Sequence, residues 1–296
     1  MIVRIVIAVL AALSTALLPA QTDALVEALR SYQAGDLVTA RTAIDKAVRS
    51  ADHIEDPDAW LVRGYIYKDI YKAAPLGPDA DVLRDEAVGS LFTCITFDKD
   101  STYRENALQA YDYLTRTYFN DAAKALNELN DQRARSLFAK YKEATLRVDP
   151  AAKLDTREVE FNNALGTLYT KRFGQDRTDT TWFEKAVATF KVVLELDPEN
   201  YGANYNLATL YYNRGVYRIR SISADDDIPS IQQIQEASRE FFQLALPYML
   251  KAHTMNPGRR ETLLGLEGIY YSLQDQENAD RYRQLFEELP GDEKDR

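Results

Sequence analysis

The sequence predicts an all-α protein, a solenoid of about six antiparallel helix hairpins. Three observations carry this prediction. The 296 residues include only twelve glycines and ten prolines, about 7% together against the roughly 12% usual in proteins. The apolar residues, 46% of the chain, recur at the three- and four-residue spacing of a helix with one buried stripe. A dipeptide of Asp or Asn with Pro closes one apolar-periodic run after another, at Asp149-Pro150, Asp197-Pro198 and Asn256-Pro257.

The first element stands apart from the fold. In Met1–Ala20 a single cation, Arg4, precedes an apolar run from Ile5 to Leu18, which Pro19 ends. That run is shorter than the roughly 20 residues that span a bilayer as a helix. It reads as a secretory signal peptide cleaved after Ala20, although Leu18 is larger than the residue preferred at that place. The alternative is an uncleaved anchor. Removal of the segment deletes Arg4 and no acid, so the net charge moves from −10 to −11. Cys94 is the only cysteine. It leaves no intrachain disulfide, and no cysteine follows the apolar run to carry a lipid. The expected address is periplasmic or secreted, with no integral membrane span once the signal is removed.

The hairpins follow in order over residues 21–289. The expected helices are 22–34 with 36–51, 56–74 with 79–97, 102–129 with 131–147, 156–174 with 180–196, 200–223 with 229–255, and 259–273 with 275–289. Gly35-Asp36 and Gln274-Asp275 mark short turns inside hairpins. Thr181-x-x-Glu184 and Asp155-x-x-Glu158 resemble capping boxes. Residues 290–296 form a polar tail.

A repeat runs through these helices. Ala186 and Ala245 lie twelve residues before Pro198 and Pro257, and Val193 and Ala252 lie five before them. Ala40 with Ala47, and Ala87 with Cys94, keep the same seven-residue spacing. Upstream, Trp60-x2-Arg63-Gly64-x2-Tyr67 is echoed by Asn162-x2-Leu165-Gly166-x2-Tyr169 and by Asn204-x2-Leu207-Ala208-x2-Tyr211; Leu263-x2-Leu266-Glu267-x2-Tyr270 is a weaker copy. These residues resemble the tetratricopeptide repeat family of the exported bacterial type, over about residues 22–289. The resemblance implies a 34-residue unit of two antiparallel helices, A and B, stacked into a right-handed superhelix. The third hairpin departs from the pattern, with Glu105, Leu108 and Asp112 in place of Trp, Leu and Tyr, and with Lys99 where proline is expected. Small residues are needed where helices A and B touch, and the expected pairs set Gly64, Gly166 or Ala208 against Ala186, Ala245 or Ala279. Cys94 is then a small buried wedge.

The span from Pro198 to Pro257 is 59 residues, 25 more than one repeat. Ile219, Ile222, Ile231, Ile234 and Phe241 continue the apolar pattern, so both helices lengthen into an extended hairpin at 216–244. It either contacts a partner or buttresses a neighbouring repeat. Asp225-Asp226-Asp227 at its tip lacks the spacing and glycine of a calcium loop and reads as a helix cap. Pro247 lies inside the second long helix and is expected to free a carbonyl one turn upstream.

No motif carries catalysis. His53 and His253 have no companion at zinc spacing, and no P-loop, G-x-G-x-x-G or G-x-S-x-G is present. No metal, cofactor or catalytic residue is expected. The acidic balance argues against nucleic acid. The resemblance implies that A helices line a concave face, with repeat positions 2, 5, 9 and 12 pointing inward. The candidate partner-binding residues are Tyr65, Asn163, Thr167, Tyr205, Thr209, Tyr212, Leu264 and Tyr271, a stripe that mixes apolar area with hydrogen-bonding tips. The chaperone-clamp pattern of some family members does not carry over, because Glu261 and Gly265 stand where cations would be needed. The expected function is a non-catalytic scaffold or adaptor that binds a protein or peptide partner in the cell envelope. The alternative is a carbohydrate-binding or polymer-export helper.

Overall fold

The structure is a computed structural model that describes residues 23–75 and 77–289. The expected signal peptide Met1–Ala20 and the expected polar tail 290–296 lie outside the described residues. Among these residues every regular element is a helix: α1 Ala24–Gln33, α2 Leu37–Ala47, α3 Pro57–Ala73, α4 Pro78–Phe97, α5 Arg104–Asn127, α6 Asp131–Val148, α7 Asp155–Gln175, α8 Thr180–Leu196, α9 Tyr201–Arg220, α10 Ile228–Met255, α11 Arg260–Ser272 and α12 Gln276–Glu287. Consecutive helices pack as antiparallel hairpins, α1 with α2, α3 with α4, α7 with α8, α9 with α10 and α11 with α12. Phe119 of α5 meets Phe138 and Tyr141 of α6. The chain divides into two compact units, Met1–Arg116 and Thr117–Arg296, so α5 contributes to both. No described helix is long and apolar enough to cross a membrane.

The repeat register sets the core. Ala40, Ala47, Ala87, Cys94, Ala186, Val193, Ala245, Ala252 and Ala279 are all 0% exposed, so each small residue of the second helices sits at a closed contact. The first helices contribute Tyr67, Tyr169 and Tyr211, all buried. The glycine partners differ from expectation. A Cβ on Gly64 would lie 2.6 Å from the Leu91 side chain, and one on Gly166 would lie 2.7 Å from the Phe190 ring. The neighbour is therefore the large residue one turn after Ala87 or Ala186, not the alanine itself. The alanine brings the backbones together, and the next side chain on that stripe fills the space of the missing Cβ.

Three short turns share one geometry. Gly35, Leu129 and Gln274 have φ values of 78°, 58° and 64°, and each precedes a capping residue, Asp36, Asn130 or Asp275. Those caps accept from the N–H of Thr39, Arg133 and Asn278, each at 3.1 Å. The left-handed residue lets the cap N–H reach back to Ser31, Ala125 or Tyr270, the closure that satisfies a helix C-terminus. Between hairpins, Asp149, Asp197 and Asn256 end their helices in extended conformations near φ −129°, −141° and −144°, where the following proline forces them. Asp98 has no proline after it; its carboxylate instead accepts from the N–H of Thr102 at 3.0 Å and of Tyr103 at 2.8 Å.

Neither expected capping box forms. The α8 cap is Asp179, which accepts from Thr181. Asp155 is already helical, and the residue before it, Leu154, offers no side-chain cap. At the tip between α9 and α10, Asp227 caps α10 by accepting from the Ser230 N–H at 2.8 Å, and Asp226 accepts from the Ser223 N–H at 2.7 Å. The aspartates there complete a turn and a helix start. Pro247 sits inside α10, which continues through it.

His53, in the loop before α3, is held from two sides. Its Nδ1 is 2.9 Å from Asp56 and its Nε2 is 3.0 Å from Asp23, the α1 cap. Burial pulls the imidazole down, but the hydrogen bonds and charges of Asp56 and Asp23 outweigh it and raise its pKa above the ordinary 6.5. Asp23 is held low by the Leu25 N–H and by His53.

Two outcomes follow from this packing. Gly166→Ala should cost about 1–3 kcal/mol by overpacking. Combined with Phe190→Ala, which removes the clashing ring, it should destabilise by less than the sum of the single variants in urea unfolding. For His53, the raised pKa gives stability present below pH 6.5 and lost as pH climbs through the folded value. The stability gap between wild type and His53→Gln should therefore be widest below pH 6.5 and shrink as the pH rises through the raised folded value, in thermal melts.

Candidate functional site

In the first unit, the A-helix face of α3 and the start of α5 enclose a cavity of about 280 Å³. Tyr65, Lys68 and Lys72 lie three and four residues apart on α3, so they share one stripe. Asn106, Gln109 and Tyr113 do the same on α5. The Tyr65 hydroxyl reaches the Asn106 carbonyl at 3.5 Å, and the Lys68 ammonium lies 4.3 Å from the centre of the Tyr65 ring. Burial raises the Tyr65 phenol and lowers the Lys68 ammonium from their ordinary pKa values. The acid next in sequence, Asp69, is engaged by the Tyr32 hydroxyl at 2.6 Å. Among the described residues no carboxylate forms an ion pair with Lys68 or Lys72, while Tyr113 is 43% exposed. The cavity therefore offers two cations, two phenol rings and two amides with little internal use.

Sequence reasoning found Tyr65 but not Lys72, Asn106, Gln109 or Tyr113. The signal was available for two of these. Extending the repeat register through the degenerate third hairpin puts Asn106 and Tyr113 at the same inward positions as Leu61 and Lys68. Lys72 lies one turn further along α3.

The second unit places its candidates on α7, α9 and α11, which neighbour one another in sequence of repeat. The Asn163 amide donates to Asn200 Oδ1 at 3.2 Å, and its own Oδ1 is buried with no partner. Both oxygens lie beside Gly202, where an added Cβ would sit 3.5 Å from Asn200 Oδ1 and 3.9 Å from Asn163 Oδ1. Thr167 is exposed and spends its hydroxyl on the Asn163 carbonyl at 2.9 Å. Tyr205 stacks on Tyr201 with centroids 6.0 Å apart, and the Tyr201 hydroxyl shares a hydrogen bond with Thr262 at 2.9 Å. Thr209 is half-buried. Tyr212 is wedged: its ring lies 5.7 Å from that of Phe242, and a Cβ on Gly268 would come within 2.8 Å of its hydroxyl. Leu264 and Tyr271 stand out from α11 at 48% and 65% exposure. The structure thus groups Asn163 with Gly202, commits Tyr212 to packing, and leaves Leu264 and Tyr271 open.

Other reactive groups are placed elsewhere. Burial, with Asp98 and Asp58 nearby, pushes the Cys94 thiol up to about 12, so it stays protonated and poorly nucleophilic. Burial also lowers His253, which meets the Tyr282 ring edge-on at 5.4 Å. Among the described residues no three His, Cys, Asp or Glu side chains converge as metal ligands would.

No protein-family model matches the chain, and no curated protein matches it. Among solved structures, the crystal structure of PilW, a widely conserved type IV pilus biogenesis factor, is similar at 19% identity and a TM-score of 0.37, over 91% of this chain and 94% of that one. A monomeric mutant of IFIT1 with Gppp-AAAA is similar at 14% identity and a TM-score of 0.40, over 89% of this chain; the chain spans 59% of that protein's length.

Burial lowers the Lys68 pKa more than the charge of Asp69 raises it, so the fold disfavours the charged form. A base whose pKa is lowered by burial destabilises the fold wherever it is forced to stay charged. Lys68→Met keeps the length of the side chain and removes the charge. It should leave the melting temperature of the free protein unchanged or raise it, measured at neutral pH.

Proposed function

We propose that the protein is a non-catalytic scaffold of the cell envelope or exterior that holds a protein partner along its A-helix face. The observation that carries this reading is the pair Lys68 and Lys72, unpaired by carboxylates and set beside Tyr65 and Tyr113 in one cavity. Unpaired cations next to amphipathic rings suit an extended segment with an acidic side chain or a terminal carboxylate: the charge meets the ammonium groups, and the backbone meets the amides of Asn106 and Gln109. In the second unit the same reading uses Asn163, Thr167, Tyr205, Thr209, Leu264 and Tyr271 as further contact positions, with Tyr212 behind them as support. The envelope address rests on the leader-like segment Met1–Ala20.

The exposed Tyr113 ring with two neighbouring amides also favours a second reading, in which this face binds carbohydrate and serves polymer export. Aromatic rings stack on sugars, and amides pair with their hydroxyls.

A photo-crosslinking residue in place of Tyr113, introduced in the native host, separates the two. The scaffold reading expects one discrete crosslinked protein partner, lost when Lys68→Glu and Lys72→Glu are combined. Glycan binding by the purified protein without any protein crosslink would select the carbohydrate reading. Turnover of a substrate by pure protein would contradict both.

A further inference from the structure

Two hairpins share a register residue by residue: Gly64 corresponds to Gly166, Tyr67 to Tyr169, Leu91 to Phe190, Ser90 to Thr189 and Glu86 to Lys185. Over α3, one side chain bridges α2 and α4. Arg63 donates to Asp45 at 2.8 Å, to Glu86 at 2.7 Å and to the Ser90 hydroxyl at 2.6 Å. Its guanidinium also covers the Tyr67 ring at 4.4 Å.

Over α7, the equivalent groove between α6 and α8 is open, with a volume of about 490 Å³. Leu165 stands where Arg63 would be, and Lys185 where Glu86 would be, so both the filling side chain and its acid are gone. Lys185 rests over the Trp182 ring at 4.4 Å and has no ion pair among the described residues. The same holds for Arg135; the Tyr169 hydroxyl at this end of the groove donates to Asp131 at 3.1 Å, which engages that acid. Glu158, the acid on the rim, is occupied by Lys142 at 2.7 Å. The floor is apolar: Phe138 and Phe161 stack with centroids 4.0 Å apart.

We infer that the α6–α8 groove is a docking site for an acidic peptide segment with an apolar anchor, its carboxylates meeting Arg135 and Lys185 and its anchor lying on Phe138 and Phe161. Charge complementarity singles out this occupant. In a chain of net charge −10, a local cluster of unpaired cations attracts carboxylates over a short length, while a long polyanion would run onto acidic surroundings. A purely apolar ligand would leave the cations desolvated and unpaired. The site is independent of the A-helix face.

The test uses the full chain carrying Lys68→Met and Lys72→Met, which removes the cations of the A-helix face, and a fluorescein-labelled peptide of alternating Asp and Phe, with fluorescence anisotropy as the readout. Binding should weaken with added salt and weaken about tenfold or more in Lys185→Glu and in Arg135→Gln. The double variant Leu165→Arg with Lys185→Glu restores the arginine of the first unit and one of its two acids. It should fold as wild type by circular dichroism and no longer bind. The inference is overturned if the peptide with Asn for Asp binds equally, if the folded double variant still binds, or if inorganic phosphate or dodecanoate binds the groove while the acidic peptide does not.

Discussion

The missing Cβ atoms of Gly64 and Gly166 are the constraint on which the hairpins depend. Each leaves a gap that only the Leu91 side chain or the Phe190 ring occupies. Because that contact is fixed to one position on each helix, it fixes the rotation of both. The alanines at the preceding turn then fall at closed contacts, the tyrosines one turn after the glycines are buried, and the stripe three and four residues away is turned outward. The faces available for binding are a consequence of that rotation.

The connections reinforce the same register. Inside three hairpins a left-handed residue and an Asp or Asn cap turn the chain in three residues, so the second helix begins at a set distance from the first. Between hairpins, proline or the Asp98 carboxylate stops one helix before the next starts. With length and rotation both set, evolution is free to vary what the outer stripes carry. The first unit uses this freedom to leave Lys68 and Lys72 without a carboxylate partner on one face and to bridge α2 and α4 with Arg63 on the other. The second unit leaves its equivalent groove open.

Most of the fold was legible in the sequence because it is written in small residues and chain breakers, which act locally. The alanine spacing, the Asp-Pro and Asn-Pro stops and the Gly35 turn locate all twelve helices to within a few residues. What pairs with what was less legible. Gly166 meets Phe190 rather than Ala186, a distinction of one helical turn that depends on how side chains lean. The capping boxes were misread because Asp179, one residue before helix α8, competes better for the free N–H groups than Thr181 does from inside it. Asn106 and Tyr113 went unseen because the third hairpin lacks the aromatic markers that reveal the register, although it keeps the fold. The exchange of Arg63 and Glu86 for Leu165 and Lys185 is present in the sequence, but it acquires meaning only when Asp131 of the neighbouring helix is known to be engaged by the Tyr169 hydroxyl.

Hydrogen exchange of the full chain by mass spectrometry tests the central claim most directly, since it reads which amides open only on global unfolding. If the glycine contacts set the hairpins, the slowest-exchanging segments will be the middle of α3 and α4 around Gly64 and Leu91, and the middle of α7 and α8 around Gly166 and Phe190. Equal or slower exchange in the terminal helices α1 and α12, with fast exchange at those four positions, would contradict the account.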